Sequence, residues 1–281
     1  MSLSVCIMAH PKRAEQVARL QAVLGALPVV WDERQDRWDT GKRAMLAYDP
    51  ACTHHLVIQD DVLPCRDLVA GVEAALEHMP DDAPLCLYVG RRRPHQHQVA
   101  QACAQADRLG AAFITMHTLN WGPGIAVPTA AIPEMVAYSD KLTEIKNYDR
   151  RLSRYWECEA KVRVWYTWPS LLDHADGPSL VHGRVGTDRE HGHISRIAHR
   201  FLGEDVSALS VDWSGPVYDA EGPFGPGQPQ SSPAALRIGP GVVAFRNKVT
   251  GQVRTMPSHS TRVRRYSGLS NWEPVTEGGA A

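Results

Sequence analysis

At 281 residues, the chain is long enough for one large α/β domain with an appendage, or for two modest domains. Hydrophobic residues make up 43% and charged residues 22%, ordinary values for a protein with a sizeable core. A formal net charge of -1, from 30 basic and 31 acidic residues, argues against an obligate, non-specific nucleic-acid binder. The 6 cysteines form no CxxC pair, so nothing in their spacing calls for an oxidising compartment. The opening MSLSVCIMAHPKR has no basic residue ahead of a short apolar run, unlike a signal peptide, and no later run approaches a membrane span. The expectation is a soluble, cytoplasmic protein with no membrane span.

Leu3 to Ala9 reads as a buried strand. His10-Pro11 breaks it, and a helix follows with Val17, Leu20, Leu24 and Leu27 at helical spacing. Strand, loop and helix open a nucleotide-binding α/β unit, which puts His10, Pro11 and Arg13 beside the ligand. No Gly-rich loop follows the strand, so neither a Rossmann fingerprint nor a P-loop is present. Val29 to Trp31 form a second strand ending at Asp32, which is either a ribose ligand or a plain turn acid. In the next helix, Lys42 or Arg43 faces phosphate from the amino end, or belongs to a solvated basic turn.

Leu56, Val57 and Ile58 make a third buried strand, which ends on Asp60 and Asp61. Adjacent carboxylates repel unless something positive lies beside them. A divalent cation holding a diphosphate would meet that need; a strand-to-turn junction with two solvated acids is the plainer alternative. Pro64 ends the extended run, and Asp67 is placed to cap a helix with Leu68, Val72, Ala75, Leu76 and Met79 on its apolar face. Leu85 to Val89 follows as a fourth strand. RRRPHQHQ from Arg91 to Gln98 is either an anion grip or a solvated loop, and His95 with His97 is a weak metal pair. A helix from about Gln98 to Leu109 precedes a fifth strand, Ala112 to Met116.

In NWGPGIAVP, Gly122, Pro123 and Gly124 force a special turn. Trp121 either stacks on a sugar at a pocket rim or packs in the core. Ile132 to Tyr138 is a helix. Asp149 opens another, as an N-cap or as a catalytic base. After a strand from Val162 to Trp165, His174 and His182 are candidate metal ligands, and the Gly-, Arg- and His-rich stretch to Arg200 suits a loop closing over an anionic donor or a plain connection. Asp212 to Pro233 reads as a Pro/Gly/Ser linker, leaving 1–211 as the main domain and 234–281 as a small β module. Its RVRR cluster (Arg262 to Arg265) and Trp272 suit attachment to an acceptor, a partner subunit or a second copy in a homo-oligomer.

The ordered pieces VCIMAHPKR, VVWDE, HHLVIQDD, WGPGIAVP, NYDRRLSRYW and PSLLDH resemble the GT-A class of nucleotide-sugar-dependent glycosyltransferases over residues 1 to about 201. The resemblance implies an α/β fold with a Rossmann-type mixed sheet, helices on both faces and a small C-terminal β module. It implies a nucleoside-diphosphate sugar donor, with UDP-sugar favoured, and a Mn²⁺ or Mg²⁺ cofactor. Asp61 then maps to the principal metal ligand, His174 rather than His182 to the second, and Asp60 to the donor's ribose or sugar. Asp149 maps to the general base of inverting members, and Gly122 and Trp121 to the donor site. Gln59 stands where the class has the first acid of its metal motif. The C-terminal module resembles small β modules appended to bacteriophage and actinobacterial proteins. The acceptor, protein or glycan, is not named by the residues. A sugar nucleotidyltransferase is the second reading, although AHPKR lacks that class's glycines. A non-catalytic binding protein presenting the β module is the third.

Overall fold

A continuous apolar run can form a strand only where both faces of the sheet are covered, and three of the first runs do so. The computed structural model describes residues 1–91, 96–175 and 197–220, with backbone alone at 96 and 97, and the backbone of three strands further on. β1 (Leu3–Ala9), β2 (Val29–Trp31) and β3 (His54–Gln59) lie parallel in the order β3-β1-β2. Along β1 the side chains alternate: Val5, Ile7 and Ala9 enter one core, while Cys6 enters the other. β3 does the same, with Leu56 and Ile58 on one side and Val57 on the other.

Helices cover both faces. α1 (Ala14–Leu24) and α3 (Leu68–Leu76) bury Val17, Leu20, Leu68, Val72 and Leu76 in the first core. α2 (Arg37–Leu46), α4 (Gln96–Leu109), α5 (Ile132–Asp140) and α6 (Tyr148–Arg154) fill the second with residues such as Trp38, Met45, Val99, Ile132, Met135 and Leu152. The sheet continues through β5 (Leu85–Cys86), β6 (Phe113–Met116), β7 (Gly124–Pro128), β8 (Val164–Thr167) and β10 (Val217–Asp219) in the order β10-β6-β8-β5-β7-β3-β1-β2. β7 is antiparallel to both β3 and β5, and β6 is antiparallel to β8, so the sheet is mixed. This is the α/β architecture expected from the sequence. No helix among the described residues is long and apolar enough to cross a membrane.

Several local expectations change. The fourth strand is two residues long; beyond it the Leu87 N–H still donates to the Gly124 carbonyl, while the Leu87 and Val89 carbonyls accept from the Leu171 and His199 N–H groups. Asp67 does not cap α3 through its side chain; it has φ 56° and its carboxylate accepts from the Ser207 hydroxyl. The residues after Pro64 do break, but Val62–Pro64 first forms β4, paired with β9 (Leu172–His174), a strand in what read as a loop. The stretch read as linker begins with structure: Trp213 is buried and β10 pairs in parallel with β6, held by Thr115 and Arg163 on Asp219. The first unit therefore runs past 211, and the chain divides at Gly227 and Gln228. In the second unit β11 (Val242–Asn247) pairs antiparallel with β12 (Val253–Pro257) and β13 (Trp272–Val275). Arg262 to Arg265 lie outside the described residues.

His55 is fully buried under α2. Its Nε2 lies 2.8 Å from the Ala44 carbonyl and its Nδ1 2.8 Å from the Ser4 hydroxyl. A carbonyl only accepts, so the neutral ring carries its proton on Nε2. Burial lowers its pKa from 6.5, outweighing the two hydrogen bonds. The unfolded chain therefore takes up a proton near that pH that the folded chain refuses, and stability from this group is full above it and lost as pH falls. Urea midpoints should decline from pH 7 towards pH 5, with a shallower slope in His55→Gln; equal slopes would remove His55 as a cause. In the same way, a chain ended after Val211 should melt lower than one ended after Gly227, since it loses Trp213 and β10.

Candidate functional site

Ligands in open α/β sheets collect beyond the carboxyl ends of parallel strands. Here Met8 is level with Gln59 and Ala9 with Trp31, so His10, Asp60 and Asp32 leave three neighbouring strands at one edge. β7 starts at that edge, because Ile58 is level with Gly124 and the Gln59 N–H donates to the Pro123 carbonyl at 2.8 Å. The short β4–β9 pairing places His174 opposite Val62, and the Ala175 N–H donates to the Asp61 carbonyl at 2.8 Å. His174 is thereby carried from more than a hundred residues away to the acid pair. Its Nδ1 lies 3.7 Å from Asp61 Oδ2, and Tyr88 packs edge-on to its ring at 5.3 Å.

The loop after β1 supplies the positive charge. Pro11 opens a single 3-10 turn, Pro11–Arg13, whose Lys12 N–H donates to His10 Nδ1. That turn aims Arg13 at both acids: its Nη1 is 2.7 Å from Asp60 Oδ1 and 2.8 Å from Asp61 Oδ2. Asp60 also accepts from the His10 N–H through Oδ2 at 2.6 Å. Both oxygens of Asp60 are thus engaged inside the protein, by the His10 N–H and Arg13 rather than by a ribose or sugar. Burial pushes its pKa up, against the His10 N–H and Arg13, and the neighbouring Asp61 charge adds to the rise. Asp61 differs: its Oδ1 is buried and has no hydrogen-bond partner among the described residues.

The other half of the site is the Trp121–Gly124 turn and the start of α6. The Tyr148 hydroxyl donates to the Gly122 carbonyl, and Gln59 Nε2 donates to the Tyr148 oxygen at 3.4 Å. A Cβ on Gly122 would lie 3.0 Å from that hydroxyl, 3.1 Å from Gln59 Nε2 and 3.1 Å from Asp149 Cβ, so a side chain here would require these neighbours to give by a few tenths of an ångström. Asp149 is the second residue of α6 and Asn147 holds the cap position, which removes the N-cap reading. Its Oδ1 accepts from the Arg150 N–H at 2.7 Å. Burial raises its pKa, opposed by that N–H and by the charge of Arg37.

Other predicted residues are committed elsewhere. Asp32 accepts from the Thr40 hydroxyl and the Arg34 N–H, a turn acid's partners. Arg43 is bound to Asp39 and to the Trp31 carbonyl, and Lys42 to Asp140. Trp121 is 8% exposed and meets Tyr88 and Tyr166 edge-on, the core alternative. Arg91 holds the Ala198 carbonyl. His95, His182 and the side chain of His97 lie outside the described residues, as does most of the loop from His182. Tyr148 and Tyr88 carry no signal of their own in the sequence, and Gln59 stands there only as the motif's departure from an acid. Gln59 and Tyr148 each adjoin a motif acid, but only the β3–β7 register brings them together.

Among the described residues, no group of three or more His, Cys, Asp and Glu side chains is arranged to hold a metal. Asp61 with its unpartnered oxygen and His174 make a pair of suitable type. Mg²⁺ and its relatives commonly use one or two protein groups and take the rest from phosphates and water, so the pair fits such an ion.

No known family and no curated protein matches the sequence. Among solved structures, one match is a mutant β-1,4-galactosyltransferase 7 from Drosophila in complex with manganese, UDP-Gal and xylobiose. It is 8% identical, with a TM-score of 0.36, covering 74% of this chain and 84% of that one. Another is a glycosyltransferase involved in glycosylation of the major capsid of PBCV-1, 12% identical with a TM-score of 0.32, covering 63% of this chain and 94% of that one. Both overlaps are too loose to lend their chemistry to this chain.

Gly41 supports the site from behind, since a Cβ there would lie 2.6 Å from Tyr148 Cβ. In Gly41→Ala, overpacking of about 1–3 kcal/mol should outweigh the roughly 0.5–1 kcal/mol gained in helix propensity. The denaturant midpoint should therefore fall; a rise would show that Tyr148 moves aside freely.

Proposed function

We propose that the chain transfers a sugar from a nucleoside-diphosphate sugar to an acceptor hydroxyl, with divalent-metal assistance and inversion at the anomeric carbon. The observation that carries the reading is the convergence at one sheet edge of two differently prepared acids, Asp61 beside His174 and Asp149 beside Gly122. Asp61 and His174 would hold Mn²⁺ or Mg²⁺, which when bound supplies positive charge against the departing diphosphate. Asp149 takes the proton from the acceptor hydroxyl as its oxygen attacks the anomeric carbon, while the bond to the diphosphate oxygen breaks and its electron pair leaves with the nucleotide. A carboxylate made more basic by burial suits that task. UDP-sugar is the favoured donor on sequence resemblance alone. The C-terminal strands serve attachment to a larger acceptor, a partner or a second copy, outside the catalytic unit.

Asp149→Asn keeps the size of the side chain and removes the base. Turnover should fall by at least ~100-fold, the lower end of general-base effects, with nucleotide affinity by calorimetry little changed. The wild-type acid limb should lie above that of an ordinary carboxylate, since activity is lost as pH falls through a raised pKa. Near-normal turnover in the variant, or retained configuration in the product, would return Asp149 to a structural role at the start of α6.

A further inference from the structure

We propose that Arg13 is a resident counter-ion that keeps a divalent metal off Asp61 until a diphosphate draws the guanidinium away, so that metal and donor enter together. The proposal rests on the donor reading above. One guanidinium nitrogen bridges the two acids at 2.7 and 2.8 Å, and the three side chains are 14%, 6% and 16% exposed. A dication approaching Asp61 alone therefore meets a like charge already bonded to Oδ2. A diphosphate approaching alone meets two carboxylates with Arg13 already bonded to both. Each is disfavoured singly, and the two offset each other when both arrive.

The two acids are not held alike, and that decides which one lets go. Asp60 keeps the His10 N–H at 2.6 Å whatever Arg13 does. Asp61 has no such second partner: its Oδ1 is buried without a hydrogen bond among the described residues, and its Oδ2 faces His174 at 3.7 Å. If Arg13 swings towards phosphate, which its planar fork matches well, Asp60 stays satisfied and Asp61 is left bare beside an imidazole. Arg13 stands on the loop after β1, at the edge where the donor's phosphates would arrive. The coupling is reciprocal, as any linkage between two ligands must be.

The test uses the full chain and two probes, Mn²⁺ and pyrophosphate, the latter because it presents a diphosphate without fixing the base. Calorimetry of the wild type should show weak Mn²⁺ binding alone and binding at least about tenfold tighter with pyrophosphate present. In Arg13→Gln, Mn²⁺ alone should bind about tenfold tighter than to the wild type, and the gain from pyrophosphate should shrink. Because that variant exposes two acids to each other, Arg13→Gln with Asp60→Asn removes one charge of each sign and should show the same tightening. Mn²⁺ should also raise the Tm of either variant more than that of the wild type. Unchanged Mn²⁺ affinity and Tm response in both variants, with coupling intact in the wild type, would make Arg13 a fixed ion pair and leave the donor reading standing. A wild type that binds neither probe in any combination would overturn the donor reading and the proposal with it.

Discussion

Two carboxylates at consecutive positions on the end of a buried strand set the terms for everything around them. Asp60 and Asp61 cannot turn to water together, because β3 is covered on both faces and the chain pairs again within two residues as β4. At an effective dielectric near 20, unit charges about 4 Å apart interact by roughly 4 kcal/mol, so an unrelieved pair would be a large fraction of a domain's stability. Arg13 relieves it, and in doing so fastens the loop after β1 to the end of β3. The 3-10 turn, the proline that starts it and the His10 N–H are consequences of that need. One guanidinium cannot neutralise two acids, however, and Asp61, whose Oδ1 has no hydrogen-bond partner among the described residues, lies next to His174.

The second acid centre is built by different means. Asp149 sits in the first turn of a helix, and the helix is fixed by packing and hydrogen bonds. Arg151 is buried in the seam between α2, α5 and α6, where its guanidinium lies 4.9 Å over the Trp38 ring and donates to the Ile145 and Ser139 carbonyls. A buried arginine spent on carbonyls and an indole holds three helices at fixed spacing. Tyr148 then reaches from α6 to the Gly122 carbonyl while its ring passes Gly41 on α2. Two glycines far apart in sequence thus serve one contact: each removes a Cβ that would push Tyr148, and Asp149 with it, off the turn.

Much of this was legible in the sequence. β1, β2 and the strand ending at the acid pair follow from apolar runs that only a doubly covered sheet explains, and the gathering of His10, Arg13, Asp60 and Asp61 at one sheet edge follows from strand direction. The partners within that edge were not legible. Arg13 reads as a residue beside the ligand until the 3-10 turn shows that it points at Asp60 and Asp61. Arg43 and Asp32 look like donor ligands because their sequence neighbours hide the local bonds to Asp39, the Trp31 carbonyl and Thr40. The β4–β9 pair joins segments of three residues each, too short for any periodicity, yet it brings His174 to Asp61. β10 is hidden for a similar reason, a three-residue strand set among glycines and prolines whose pairing among the described residues is with β6, about a hundred residues earlier.

The acids also show why burial alone does not identify a base. Asp60 and Asp149 are both pushed upward in pKa by desolvation. Asp60 has a backbone N–H on one oxygen and a guanidinium on the other, so both oxygens are held by the protein. In Asp149 the rise is opposed by backbone N–H groups of its own first turn, with Arg37 and Arg150 acting through charge. The same shift therefore has opposite meanings. In Asp60 it is the residual cost of a carboxylate whose partners lock the fold. In Asp149 it accompanies a carboxylate bonded, among the described residues, to its own first turn and set beside a glycine turn.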